Sequence, residues 1–234
     1  MQYLGGKSRI SNQISEILNK YTKDRTFYSL FCGSSSIESK IIAKEVVLND
    51  FHPYLIEMFL DLQRGRDFPE NVSEEEYKRV KENKDLDKGL SSFIGFGCSF
   101  GGKWFGGYAR QTKGLNYAKT CKNSLAKKMK TLSGAKFNNL DYREIEIKDD
   151  SVIYCDPPYK GTTGYSNSSD FSHDDFWEHM RKLSENNMVF ISEINAPEDF
   201  VPIWTKDFTR NLDAKVVFTS TEKLFIHKSK IDKT

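Results

Sequence analysis

Thr26-Phe27-Tyr28-Ser29-Leu30, then Phe31-Cys32-Gly33-Ser34-Ser35-Ser36, and after a short interval Glu45-Val46-Val47-Leu48 running into Asn49-Asp50, decide the fold class of this 234-residue chain. The first five residues read as a short apolar strand. The small residues after them read as a turn into a helix reaching about Ala43, and Glu45 to Leu48 as the next strand. Strand, small-residue turn, helix, strand and acidic end is the order of a cofactor-binding α/β unit, whose ligands lie outside the carboxyl ends of the strands.

Upstream, a helix opens after Gly5-Gly6 with Ile10, Ile14, Ile17 and Leu18 on one face and ends near Asn19 or Lys20. Downstream, Phe51 to Leu62 reads as a helix with Pro53 in its first turn, and Glu74 to Lys88 as another. Between Gly89 and Gly114 periodicity is lost, and the run Phe100-Gly101-Gly102-Lys103-Trp104-Phe105-Gly106-Gly107-Tyr108 reads as a looped or hairpin-bearing insertion. Helical spacing returns from Asn116 to Leu132. Ser151 to Cys155 is a strand, followed by a flexible polar segment through Ser172, a helix from His173 to about Ser184 and a strand at Met188 to Ile191. Lys215 to Thr219 and Glu222 to His227 read as paired terminal strands joined by a tight turn. A chain of this length buries one α/β core with room for an inserted lobe. We therefore expect one sheet domain, 1–53 and 134–234, with helices on both faces, interrupted by a largely helical insertion, 54–133.

The composition, 38% apolar and 29% charged, is that of an ordinary folded protein. No stretch approaches the roughly 18 apolar residues of a membrane span and none resembles a signal peptide, so a cytoplasmic protein without a membrane partner is expected. The four cysteines, Cys32, Cys98, Cys121 and Cys155, are far apart and read as buried free thiols rather than a zinc site, so no metal is expected. The net charge of +2 identifies no partner, but its distribution does more. From Gly89 to Leu140 there is no acid, while Lys103, Arg110, Lys113, Lys119, Lys122, Lys127, Lys128, Lys130 and Lys136 are basic. Such a run suits a polyanion, and equally a solvated basic face.

Asp156-Pro157-Pro158-Tyr159 follows an apolar strand, which puts its polar atoms at a ligand-binding sheet edge. Consecutive prolines remove two backbone donors and leave carbonyl acceptors. Asp156 and the Pro157 carbonyl can then hold an aromatic amine, orient its lone pair and stabilise the positive charge that develops when it is alkylated. Tyr159 can stack on the ring carrying that amine. The same four residues would also serve a plain strand-ending turn with Tyr159 capping the core.

Tyr3-Leu4-Gly5-Gly6-Lys7, Phe31-Cys32-Gly33-Ser34-Ser35-Ser36, Asn49-Asp50 and Asp156-Pro157-Pro158-Tyr159 come in an order that resembles the Dam-like, D12-class DNA adenine-N6 methyltransferases of bacteria and their phages. The resemblance implies a Rossmann-like sheet, S-adenosylmethionine as methyl donor, an adenine flipped out of double-stranded DNA, and an insertion that reads the DNA. It implies Asp156, Pro157, Pro158 and Tyr159 as the catalytic phrase. Tyr3, Gly5 and Lys7 would lie beside the cofactor, Lys7 near its methionine carboxylate, with Phe31, Gly33 and Ser35 at the turn and Asp50 on the ribose. Phe137 or Tyr142 and Asp141 would meet the cofactor adenine, although a turn with core aromatics explains Phe137 to Tyr142 equally well. Ser192-Glu193-Ile194-Asn195 resembles the segment supporting the target-base pocket. Lys103, Arg110 and Lys113, with Lys119, Lys122, Lys127, Lys128 and Lys130 on phosphates, are the candidate DNA contacts. Trp104, Phe105 or Tyr108 would either enter a groove or pack the insertion. Relatives carry a second glycine where this chain has Ser35, which leaves open a weak or inactive DNA-binding module; transfer to cytosine N4 is the other alternative. With no dimer seam evident, a monomer or weak dimer is expected.

Overall fold

The computed structural model describes residues 1–110, 114–159, 171–213 and 216–233, with the side chains of 209–220 outside the description. Seven strands form one sheet: β1 (Thr26–Ser29), β2 (Glu45–Asn49), β3 (Lys136–Asn138), β4 (Val152–Cys155), β5 (Met188–Glu193), β6 (Phe200–Asp213) and β7 (Val216–His227), in the order β3-β2-β1-β4-β5-β7-β6. The first five are mutually parallel, whereas β7 pairs antiparallel with β5 and with β6. Strand order reverses between β1 and β4, and at that switch point a parallel α/β sheet leaves a crevice beyond its carboxyl ends.

Alternate residues of the strands face opposite ways. Phe27, Leu48, Val152, Tyr154 and Phe190 pack with Ile14 and Leu18 of α1 (Ser11–Thr22), while Tyr28, Val47, Ile153, Val189 and Ile191 pack with Phe176 and Met180 on the other face. Phe176 and Met180 belong to α6 (His173–Asn186), the last of the helices. The other four are α2 (Pro53–Gln63), α3 (Glu74–Glu82), α4 (Lys88–Gly97) and α5 (Tyr117–Leu132). These four build a separate apolar cluster around Phe59, Phe93, Phe96 and Leu125. Two of them also reach the sheet, through Ile56 and Leu132.

Several elements differ from expectation: α3 stops at Glu82 rather than Lys88, Lys136–Asn138 is an unexpected strand, and three further differences bear on the site and the sheet edge. After the Gly33 turn there is only a single 3-10 turn, Glu38–Lys40. Asn19 of α1 satisfies the backbone that follows, donating to the Lys40 carbonyl at 3.0 Å and accepting from Ile42 N–H at 2.9 Å, so no longer helix is needed. Lys88–Gly97 is a helix rather than loop: Asp87 caps its start by accepting from Leu90 N–H, and its glycines let neighbours close in. A Cβ on Gly95 would meet the Phe105 and Trp104 rings at 2.7 Å, and one on Gly97 the Cys121 sulfur at 2.4 Å. The terminal hairpin exists, but Val216–His227 is one strand and its partner is Phe200–Asp213. Pro202 argues against a strand in the sequence; β6 accommodates it as an edge strand with an irregular register between Pro202 and Trp204.

The insertion also holds down the N-terminal segment. Leu4 N–H donates to the Gly102 carbonyl at 3.1 Å, and Gly102, at φ 67°, lies so close that a Cβ there would sit 2.5 Å from the Tyr3 nitrogen. Gly102→Ala should cost about 2 kcal/mol, combining left-handed strain with a backbone clash, as read from urea denaturation. Unchanged stability would show that this approach is not needed.

Candidate active site

The carboxyl ends of β1, β2 and β4 open onto a cavity of about 320 Å3, within the range of small-molecule sites. Tyr3, Gly5, Lys7, Phe31, Gly33, Asp50, Asp141, Asp156 and Pro158 all line it, so most of the expected cofactor and catalytic residues converge.

Asp50, just beyond β2, accepts from Gly33 N–H at 2.8 Å through one oxygen and from His52 N–H at 2.9 Å through the other. It thereby ties the β1 turn to the start of α2. Burial pushes its carboxyl up to about 6 despite those two donors, leaving an ionised group near neutral pH whose remaining lone pairs can accept from a diol. Asn49 joins the neighbouring loops, donating to the Leu30 and Leu140 carbonyls and accepting from Leu140 N–H.

Asp156 follows β4 and meets the Lys7 ammonium at 2.9 Å. That ammonium lies 3.6 Å from a Glu222 oxygen and 4.4 Å from the centre of the Tyr159 ring, while the Tyr159 hydroxyl donates to the same Glu222 oxygen at 2.7 Å. Burial raises the Asp156 pKa, opposed by the adjacent Lys7 charge. Burial works against the Lys7 charge as well, but the two carboxylates outweigh it, and Lys7 is held as an ammonium. Its charge is thus directed at Asp156, on the wall of the same cavity, and at Glu222.

Two further titratable groups, Glu38 and Lys128, lie behind the turn. Glu38 accepts from the Ser29 hydroxyl at 2.8 Å and lines the cavity, and burial pushes its carboxyl up to about 7. Lys128 reaches the turn from α5, donating to the Ser34 carbonyl and, at 3.1 Å, to the Ser36 hydroxyl; burial brings its pKa down to about 8.

Several assignments change. Ser35 does not line the cavity: it is fully buried, its backbone is left-handed at φ 53°, and its hydroxyl has no partner beyond the neighbouring Cys32 thiol. Phe137 stacks on Phe59, with centroids 5.0 Å apart and planes 6° apart, and is absent from the cavity wall. Asp141 lines the cavity, but Arg143 grips both its oxygens at 2.8 and 2.9 Å. Tyr142, Phe31 and Phe171 form an aromatic cluster on the wall. Glu193 is buried, and Ser192 is hydrogen-bonded to Tyr154 at 2.8 Å.

The basic run is less one-signed in space than in sequence. Arg110 pairs with Glu74, Lys119 with Glu70, and Lys122 with Asp67, all acids that precede the run. Lys128 is committed to the turn after β1, and Trp104 packs against His52, Tyr54 and Phe96 instead of projecting. Phe105 is buried, and Tyr108 donates its hydroxyl to the Val72 carbonyl. Lys103, Lys127 and Lys130 are exposed, and Lys113 lies outside the described residues. The exposed aromatic of the loop is Phe100, 76% accessible, which the sequence reading passed over; Glu38 and Glu222 were also unforeseen. Among the described residues no cluster suited to a metal ion occurs, and no helix is long and apolar enough to cross a membrane.

The family model of the D12 class N6 adenine-specific DNA methyltransferases matches residues 3–89 and 102–192. The chain belongs to that family. Two similar proteins are the type II methyltransferase M.FokI of Planomicrobium okeanokoites, 22% identical over 212 residues, and the modification methylase StsI of Streptococcus sanguinis, 24% identical over 219. The matches cover 78% and 81% of this chain but 32% of each relative, so the chain spans about a third of their length. Among solved structures, the rRNA methyltransferase AviRa of Streptomyces viridochromogenes superposes with a TM-score of 0.46 at 9% identity, over 99% of this chain and 89% of that one. The D12 resemblance of the four sequence phrases is borne out by the family match, and three of the four phrases line the cavity through Lys7, Gly33 and Asp156, with Asp50 supplying the fourth.

Ser35 sets up a direct test of the turn in this D12 chain. Ser35→Gly should raise stability by about 1 kcal/mol, because relief of left-handed strain and of a buried hydroxyl exceeds the added freedom of the unfolded chain. The denaturation midpoint should rise, and a fall would mean that the hydroxyl contributes a contact the turn requires.

Proposed function

We propose that this chain transfers a methyl group from S-adenosylmethionine to the N6 amine of an adenine flipped out of double-stranded DNA. The observation that carries the reading is the single cavity shared by Asp50 and Asp156, at the carboxyl ends of β2 and β4. The wall fits the cofactor: Asp50 offers acceptors to a ribose diol, and the carboxylates Glu38, Asp50, Asp141 and Asp156 outnumber the cations Lys7 and Arg143, which suits a cationic ligand. S-adenosylmethionine supplies, when bound, a methyl carbon on a sulfonium.

Asp156 accepts a hydrogen bond from the base amine and aligns the nitrogen lone pair with that carbon. As the nitrogen–carbon bond forms and the carbon–sulfur bond breaks, positive charge grows on the amine, and the carboxylate stabilises it. The extra proton then leaves to solvent, so no external base has to act first. Lys7 keeps Asp156 in the ionised, accepting form against the cost of burial. Pro157 and Pro158 present no N–H that would compete with the amine's donors. Tyr159 offers one ring face to the base, the Lys7 ammonium lying against the ring.

In this reading residues 1–53 and 134–234 form the catalytic domain and 54–133 the DNA-recognition region. Lys103, Lys127 and Lys130 are the cations exposed for phosphate, and Phe100 is the aromatic presented for base extrusion. Because Ser35 lies off the cavity wall, its replacement of glycine leaves the cofactor space unobstructed.

Asp156→Ala should lower the single-turnover rate of methyl transfer to unmethylated DNA by about 100- to 1,000-fold while the cofactor still binds. Transfer at the parental rate would remove Asp156 from the chemistry.

A further inference from the structure

We infer that Glu222, on the terminal hairpin, is a positioning residue of the target-base pocket, holding Tyr159 and Lys7 in the arrangement that Asp156 requires. This rests on the adenine-methylation reading and adds to it a residue outside all four phrases that mark the family.

The geometry is that of a closed set. Glu222 accepts from the Tyr159 hydroxyl at 2.7 Å and lies 3.6 Å from the Lys7 ammonium, which in turn meets Asp156 at 2.9 Å and sits 4.4 Å from the Tyr159 ring centre. One carboxylate thus fixes both ends of a cation–ring contact. The Lys7 and Glu222 side chains are only 9% and 23% exposed, so these charges are screened far less than a surface pair.

The placement of Glu222 is itself rigid. It lies on β7 opposite Lys206 of β6, one residue from the segment where β7 enters the ladder with β5 at Lys223 and Glu193. The hairpin therefore delivers a carboxylate to the catalytic phrase from 63 residues further along the chain. Without it, the Tyr159 hydroxyl loses this acceptor, and the Lys7 ammonium is drawn wholly to Asp156, competing with the base amine for the same oxygens. Misplacement on the scale of 1 Å is enough to slow a reaction about a hundredfold.

Four variants of the full chain test this: Glu222→Ala, Glu222→Gln, Tyr159→Phe, and Glu222→Ala combined with Tyr159→Phe. The readouts are single-turnover methyl transfer to unmethylated DNA, S-adenosylmethionine affinity by calorimetry, and melting temperature. Glu222→Ala should slow transfer about a hundredfold with cofactor affinity and melting temperature close to those of the parent. Glu222→Gln should recover about tenfold of that loss, because its amide oxygen still accepts from Tyr159. The double variant should be slowed by less than the product of the two single losses, since each single change breaks the same Tyr159–Glu222 hydrogen bond. Parental rates in Glu222→Ala, additive losses in the double variant, or a rate loss matched by lost cofactor affinity would each overturn the inference. A parent chain that binds the cofactor yet methylates no DNA would instead overturn the methylation reading, and this inference with it.

Discussion

The contact between Lys7 and Asp156 is the constraint around which the rest of the molecule is arranged. The Asp156 carboxylate lies at the switch point of the sheet, where burial favours its neutral form. A cation must be brought to it, and that cation comes from the N-terminal segment, far from β4 in sequence. The insertion secures the segment through the Leu4 to Gly102 hydrogen bond, and Tyr3 packs on Phe96 of α4 with ring centroids 4.8 Å apart. The helices between β2 and β3 therefore help to place Lys7 against Asp156.

The cavity has a division of charge that follows from the same economy of burial. At one end Asp50 bridges the β1 turn and the start of α2 through its two oxygens. The turn is also braced from behind by Lys128 on α5. A lysine that looks in sequence like one of many phosphate contacts thus connects α5 to the turn after β1.

Much of this was legible in the sequence because the informative signals are local. Apolar strands ending in Asn49-Asp50 and in Asp156-Pro157-Pro158-Tyr159 place their polar residues at one sheet edge whatever happens elsewhere. The helix of Asn116 to Leu132 keeps its period, and Asn116 caps it by accepting from Lys119 N–H at 2.9 Å. Failures came where a distant partner decides the outcome. The glycines of α4 look like loop until Trp104, Phe105 and Cys121 are packed against them. Pro202 conceals an edge strand, and Asn19 ends the turn at Lys40 from another helix. Arg110, Lys119 and Lys122 look unopposed until Asp67, Glu70 and Glu74 fold back upon them. Glu222 carries no motif, and only strand pairing brings it to Tyr159.

The central claim is that a carboxylate, held ionised by Lys7 beside the Asp50 cavity, directs methyl transfer to an adenine amine. The most direct measurement is to incubate the purified chain with labelled S-adenosylmethionine and unmethylated DNA, digest the DNA to nucleosides and identify the labelled species. Label in N6-methyladenosine's deoxy form, within a fixed sequence context, is the result this account predicts. Label in N4-methylcytosine, or none at all from a chain that binds the cofactor, would contradict it.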